Sequence, residues 1–84
     1  MGNTYAAALE TVKFYILNTH EFYSVIADNV KDARESRLGF ANLIGCVMLT
    51  LTDYDGFRHL PEEFRDDDAI VLEAVTEIVE EWEL

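Results

Sequence analysis

The sequence contains few of the residues that cross-link or interrupt a chain. Its single cysteine, Cys46, excludes an intramolecular disulfide, and we expect a reducing, cytoplasmic setting. One proline and four glycines leave few enforced breaks in 84 residues. The longest apolar run, residues 38–51, is shorter than the roughly 20 residues that a membrane-spanning helix needs. The start of the chain also lacks the basic-then-apolar order of a signal peptide.

Basic residues are scarce, and their distribution is uneven. The chain has six Lys and Arg against 17 Asp and Glu, a net charge of −11. Residues 1–42 carry four basic and five acidic residues, whereas residues 43–84 carry two basic and twelve acidic residues. The acidic second half of the chain should repel nucleic-acid phosphates and anionic membranes and attract basic surfaces. The simpler alternative is that the charge only keeps the protein in solution.

Motifs that carry catalysis are missing. There is no glycine-rich phosphate loop, no CxxC and no GxSxG. Cys46 lies between apolar neighbours, so we expect a thiol in the core and not a nucleophile. We therefore predict a non-enzymatic protein without a cofactor.

The segment from 53 to 63 is the one candidate for a metal site. Its donors resemble part of an EF-hand calcium loop, but glycine falls at position 4 and not at position 6. We therefore expect a solvated turn, and divalent-metal binding through this loop is a remaining alternative. The donors are Asp53, Asp55, His59, Glu62 and Glu63.

The apolar run at 38–51 is the stretch around which the rest of the chain is predicted to pack. Its length favours a helix over a pair of strands, the alternative interpretation. Phe40, Ile44, Val47 and Leu51 recur at helical spacing, and apolar residues on further sides predict a buried central helix.

The first 35 residues carry one continuous apolar stripe at heptad-like spacing. One long helix and two helices with a break at 18–20, where polar residues can start a second helix, both fit the stripe. The break is favoured because one helix of about 34 residues would be roughly 50 Å long, more than a monomer of this size can cover. If the stripe at 5–33 were an interface, the protein would be a structural homodimer or assembly subunit. The stripe comprises Tyr5, Leu9, Val12, Ile16, Thr19, Tyr23, Ile26, Val30 and Ala33.

The last helix has the clearest amphipathic pattern. Aspartates at 66–68 suit its N-terminus, where they favour the positive end of the helix dipole. Its predicted apolar arc comprises Val71, Leu72, Ala74, Val75, Ile78, Val79 and Trp82. The opposite side carries glutamates at i, i+4 spacing and no basic residue, so packing of the apolar side must stabilise the helix.

Together these patterns predict an all-α protein, a small four-helix bundle with a central apolar helix and an acidic amphipathic C-terminal helix. We expect one domain over residues 1–84, with helices at 3–18, 20–35, 37–53 and 67–83 and a helical turn near 61–65. Ser36 is the candidate N-cap of the third helix. The leading functional hypothesis is an acidic module that binds a basic surface of a nucleic-acid-handling protein. An inhibitor or nucleic-acid mimic of the phage or mobile-element type would work in this way. Its predicted binding residues are Glu62, Glu63, Asp66, Asp67, Asp68, Glu73, Glu77, Glu80 and Glu81.

Overall fold

The computed structural model describes residues 4–53 and 68–82, and within these ranges the chain forms α-helices and no strands. The helices are α1 (Thr4–Asn18), α2 (His20–Ser36), α3 (Phe40–Asp53) and α4 (Asp68–Glu81). The all-α helical-bundle prediction is therefore confirmed. The predicted helical turn near 61–65 lies outside the described residues.

The break between α1 and α2 falls at Thr19, so the single long helix is not formed. Thr19 has an extended backbone, with φ −102° and ψ 112°. Its hydroxyl does not cap α2 but donates to the carbonyl of Tyr15 at 2.8 Å. The apolar stripe keeps its phase across this one-residue break, which explains why periodicity alone left both alternatives open.

The joint between α2 and α3 differs from the predicted one. Ser36 does not cap α3; it is the last residue of α2, and its hydroxyl donates to the Asp32 carbonyl at 2.7 Å. Arg37 then takes a left-handed conformation at φ 58°. The N–H of Leu38 donates to the Ala33 carbonyl at 2.9 Å, which closes the end of α2. The third helix consequently begins at Phe40 and not near residue 37.

The four helices surround one apolar core. Each helix packs mainly against its neighbours in chain order, and α4 closes the ring by packing against α1. No polar or charged residue in the described part is buried. The core residues are Leu9, Val12 and Ile16 of α1; Phe22, Ile26, Val30 and Ala33 of α2; Leu43, Ile44, Val47 and Leu51 of α3; and Ile70, Val71, Ala74, Val75, Ile78 and Val79 of α4.

Helix α3 is less deeply buried than the apolar run at 38–51 predicts. It buries four residues, whereas α4 buries six. Phe40 and Leu49 of α3 are exposed, and Cys46 is a surface thiol and not a core one. The reason is that α3 packs mainly against α2 and α4, and the side of α3 that carries Leu49 faces away from both core contacts and is exposed.

The apolar stripe at 5–33 is mostly used inside the molecule. Its members from Leu9 to Ile16 and from Ile26 to Ala33 are in the core, and Phe22 takes the buried place that Tyr23 was expected to fill. Tyr5 and Tyr23 remain partly exposed. A homodimer formed through this stripe would therefore have little free apolar surface to use.

Candidate acidic interface

The acidic residues of α4 are positioned by its apolar side. That side is fixed in the core by six aliphatic residues, so the glutamates must emerge on the remaining surface. The predicted arc was wrong at two places: Ile70 is buried, and Leu72 is exposed. Trp82 is half-buried, and its ring packs against that of Tyr23 at 5.3 Å between centroids.

Glutamates at i, i+4 spacing form a row along α4 on the side that faces α1. We call Glu73, Glu77 and Glu81 the acidic row. The hydroxyl of Tyr5 donates to the Glu73 carboxylate. Lys13 Nζ lies 3.4 Å from Glu77 Oε1 and 3.6 Å from Glu81 Oε1. The row is thus in contact with its own chain along its whole length.

Lys13 is the cation that relieves the repulsion within the acidic row. Its Nζ also lies 3.7 Å from Glu10 Oε1, one turn earlier on α1. The Lys13 side chain is only 12% exposed. Burial disfavours its charged form, but the carboxylates of Glu10, Glu77 and Glu81 outweigh that effect, and the pKa of Lys13 lies above its ordinary value of 10.5. Lys13 is therefore a fixed positive charge at neutral pH.

Sequence reasoning missed this contact. The last helix has no basic residue of its own, and the sequence did not show which helix would supply one. The available signal was that Lys13 borders the stripe of α1, directly after Val12. A lysine in that position covers apolar surface with its stem and directs its amine toward the neighbouring helix.

The predicted binding residues divide into two groups. The first group lies on α4, where Glu77 is half-buried and the others are exposed: Asp68, Glu73, Glu80 and Glu81. Among them, three form no ion pair with another described residue: Asp68, Glu73 and Glu80. The remaining predicted binding residues, Glu62, Glu63, Asp66 and Asp67, lie outside the described residues.

Among the described residues, no group of three or more His, Cys, Asp or Glu side chains is arranged to hold a metal ion. Of the candidate loop donors only Asp53 falls within that part of the chain, where it is exposed at the end of α3. The other four donors lie outside it, so the metal-site alternative stays a prediction.

None of the described helices is long and apolar enough to cross a membrane. Three comparisons with known proteins complete the description: we found no match to the chain among protein-family models, curated proteins or solved structures.

Proposed function

We propose that the protein is a non-enzymatic interaction module whose acidic α4 surface binds a basic surface of another protein. The observation that carries the proposal is the placement of the carboxylates. Of the eleven acidic residues in the described part, ten are exposed and only Glu77 is half-buried. No described carboxylate is withdrawn into the core, so almost all of this charge faces solvent.

The contact with Lys13 reduces the charge of the α4 surface without cancelling it. One ammonium group is shared among Glu10, Glu77 and Glu81, and Glu73 and Glu80 have no cationic partner among the described residues. The surface along α1 and α4 therefore stays strongly negative. Lys13 also holds Glu77 and Glu81 of this surface in place. A charged surface that is already ordered loses less entropy when it binds a partner.

The partner that fits is a protein with a positive groove, as nucleic-acid-binding proteins have. A rigid helix that carries carboxylates would occupy such a groove in place of phosphates. Inhibition of a nucleic-acid-handling protein is the functional consequence that we infer. Binding of this kind gains speed and specificity from electrostatic attraction and weakens as salt screens it.

The test is a pull-down from a lysate of the source cell at low and high salt, followed by affinity measurements with the partner that it identifies. The informative variant is Glu80→Lys, because Glu80 is exposed and has no ion pair among the described residues. A fourfold charge reversal to lysine on α4 would also remove the contacts with Tyr5 and Lys13. The four positions are Glu73, Glu77, Glu80 and Glu81. That variant would confuse loss of binding with loss of folding.

The matched control is Asp28→Lys, which makes the same change of charge at an exposed position on α2. We expect Glu80→Lys to weaken binding about tenfold at low salt and Asp28→Lys to have a much smaller effect. Equal effects of the two variants would mean that only net charge matters. Binding that Glu80→Lys and added salt both leave unchanged would refute the proposal.

A further inference from the structure

The outward side of α3 is an apolar surface with no neighbour in the described part of the chain. Leu49 is 69% exposed, and Leu72 of α4 is 44% exposed. A shallow groove of about 460 Å³ runs between α3 and α4, and it is lined by Ala41, Ile44, Gly45, Met48, Leu49 and Leu72, with Thr52 and Asp68 at its border. We call this surface the α3 face. Contiguous apolar patches of this kind mark interaction sites.

The α3 face is also almost uncharged. Between Leu38 and Thr52 there is no Asp, Glu, Lys or Arg, and Asp68 is the one charged residue among those that line the groove. Each of the other helices carries at least two charged residues. In a chain with a net charge of −11, two copies repel each other on most approaches. At the α3 face they meet with the fewest carboxylates between them.

Gly45 supplies a second observation about the same surface. A Cβ atom added there would meet nothing within 4 Å. Glycine in the middle of a helix costs about 1 kcal/mol relative to alanine, and no described neighbour of Gly45 needs the missing side chain. The space over Gly45 is open on the side that carries Leu49, where a side chain from outside would fit.

From the apolar character, the lack of charge and the open space, we propose that the α3 face is a homodimer interface. The two copies would bring their α3 helices together about a two-fold axis, so that the same patch meets itself. The exposed apolar surface around one shallow groove is small beside a standard specific interface, which buries about 1,600 Å² in total. We therefore expect a dimer that dissociates on dilution. A basic partner would be drawn to the carboxylates instead, which is why a second copy is the occupant that fits this face.

This interface differs from the stripe at 5–33 and does not depend on the proposed function. The acidic row lies on the side of α4 that faces α1, whereas Leu72 borders α3. Dimerisation through the α3 face would leave the acidic row accessible in both copies. It would also respond to salt in the opposite sense from binding of a basic partner, because screening reduces the repulsion between two acidic copies.

The experiment is sedimentation velocity on the full chain from low to high micromolar concentration, at low and high salt. The variants are Leu49→Glu and its matched control Phe14→Glu; both residues are 69% exposed, one on α3 and the other on α1. We expect the wild type to approach twice the monomer mass as concentration rises, and more readily at high salt. Leu49→Glu should raise the dissociation constant at least about tenfold, and Phe14→Glu should behave as the wild type.

Ala41→Glu provides a second variant of the α3 face, since Ala41 is exposed and its replacement removes little packing. If Leu49→Glu unfolds the protein, the result with Ala41→Glu decides, and it should also favour the monomer. A wild type that stays monomeric at every concentration and salt level would overturn the proposal. So would equal effects of Leu49→Glu and Phe14→Glu in a folded protein.

Discussion

Helices α3 and α4 have the same length of 14 residues but opposite relations to solvent. α3 has one charged residue and leaves Phe40 and Leu49 exposed, whereas α4 has five acidic residues and buries six aliphatic ones. The amount of apolar surface in a helix therefore does not decide how deeply it is buried. What decides is whether the apolar residues share one side and whether neighbouring helices meet that side.

The comparison predicts that the two helices differ most in their tolerance of truncation. Ile78 of α4 is fully buried, so Ile78→Ala should lower the free energy of unfolding by about 3 kcal/mol. Leu49→Ala removes a similar side chain from the exposed side of α3 and should change stability by less than about 0.5 kcal/mol in dilute solution. Urea denaturation followed by circular dichroism measures both values. Similar losses for the two variants would mean that α3 is as deeply packed as α4.

A second difference is that α4 is fixed partly by charge. Lys13→Met keeps an unbranched apolar side chain but removes the ammonium group between Glu10, Glu77 and Glu81. We expect the free energy of unfolding to fall by about 1 kcal/mol at low salt and by less at high salt. The control is Lys31→Met on α2, where the lysine is exposed and has no ion pair with a described residue. If both variants lose the same stability, the contact between Lys13 and the acidic row is not stabilising.

The same contact predicts a dependence on pH. The folded-state pKa of Lys13 lies above its ordinary value of 10.5, so the folded protein holds this proton more tightly than the unfolded chain does. The stability that Lys13 contributes is fully present below pH 10.5 and is lost as the pH rises through the folded-state pKa. The difference in urea midpoint between wild type and Lys13→Met should thus shrink in that alkaline range. A difference that stays constant there would contradict the assignment.

The turn that leads into α3 predicts a smaller effect. Arg37 has φ 58°, a conformation that costs residues with a Cβ about 1 kcal/mol and glycine almost nothing. Glycine also gains entropy in the unfolded chain, which offsets part of that relief. Arg37→Gly should therefore be more stable than Arg37→Ala by about 0.5 kcal/mol, as thermal melts would show. An alanine variant that equals or exceeds the glycine variant would exclude the left-handed conformation at this position.

The elements that could be predicted from sequence are those with a strong local signal. The amphipathic pattern of α4 is such a signal, and the structure has it. The break at Thr19 is also present, but it was favoured by the length of a single helix and not by a change in the stripe. The start of α3 could not be placed, because it depends on an unexpected left-handed arginine and not on a cap at Ser36. The exposure of Cys46 and Leu49 was also missed, because an apolar sequence does not show on how many sides a helix has neighbours.

The candidate site was predictable only as a distribution of charge. The spacing of the glutamates placed them on one side of α4, but their contacts with Tyr5 and Lys13 depend on α1 packing beside α4. Tertiary contacts between residues more than 60 positions apart leave no periodic pattern in a single sequence. They therefore became visible only when the helices were assembled.

The single thiol of the chain reports directly on whether α3 is open to solvent. If α3 leaves one side open, Cys46 should react in the native protein with iodoacetamide, a neutral reagent that the acidic surface neither attracts nor repels. In dilute solution without denaturant, we expect a rate close to that of the unfolded chain. A thiol that stays protected at every protein concentration until urea unfolds the protein would show that this side of α3 is buried, and that result would contradict an exposed α3.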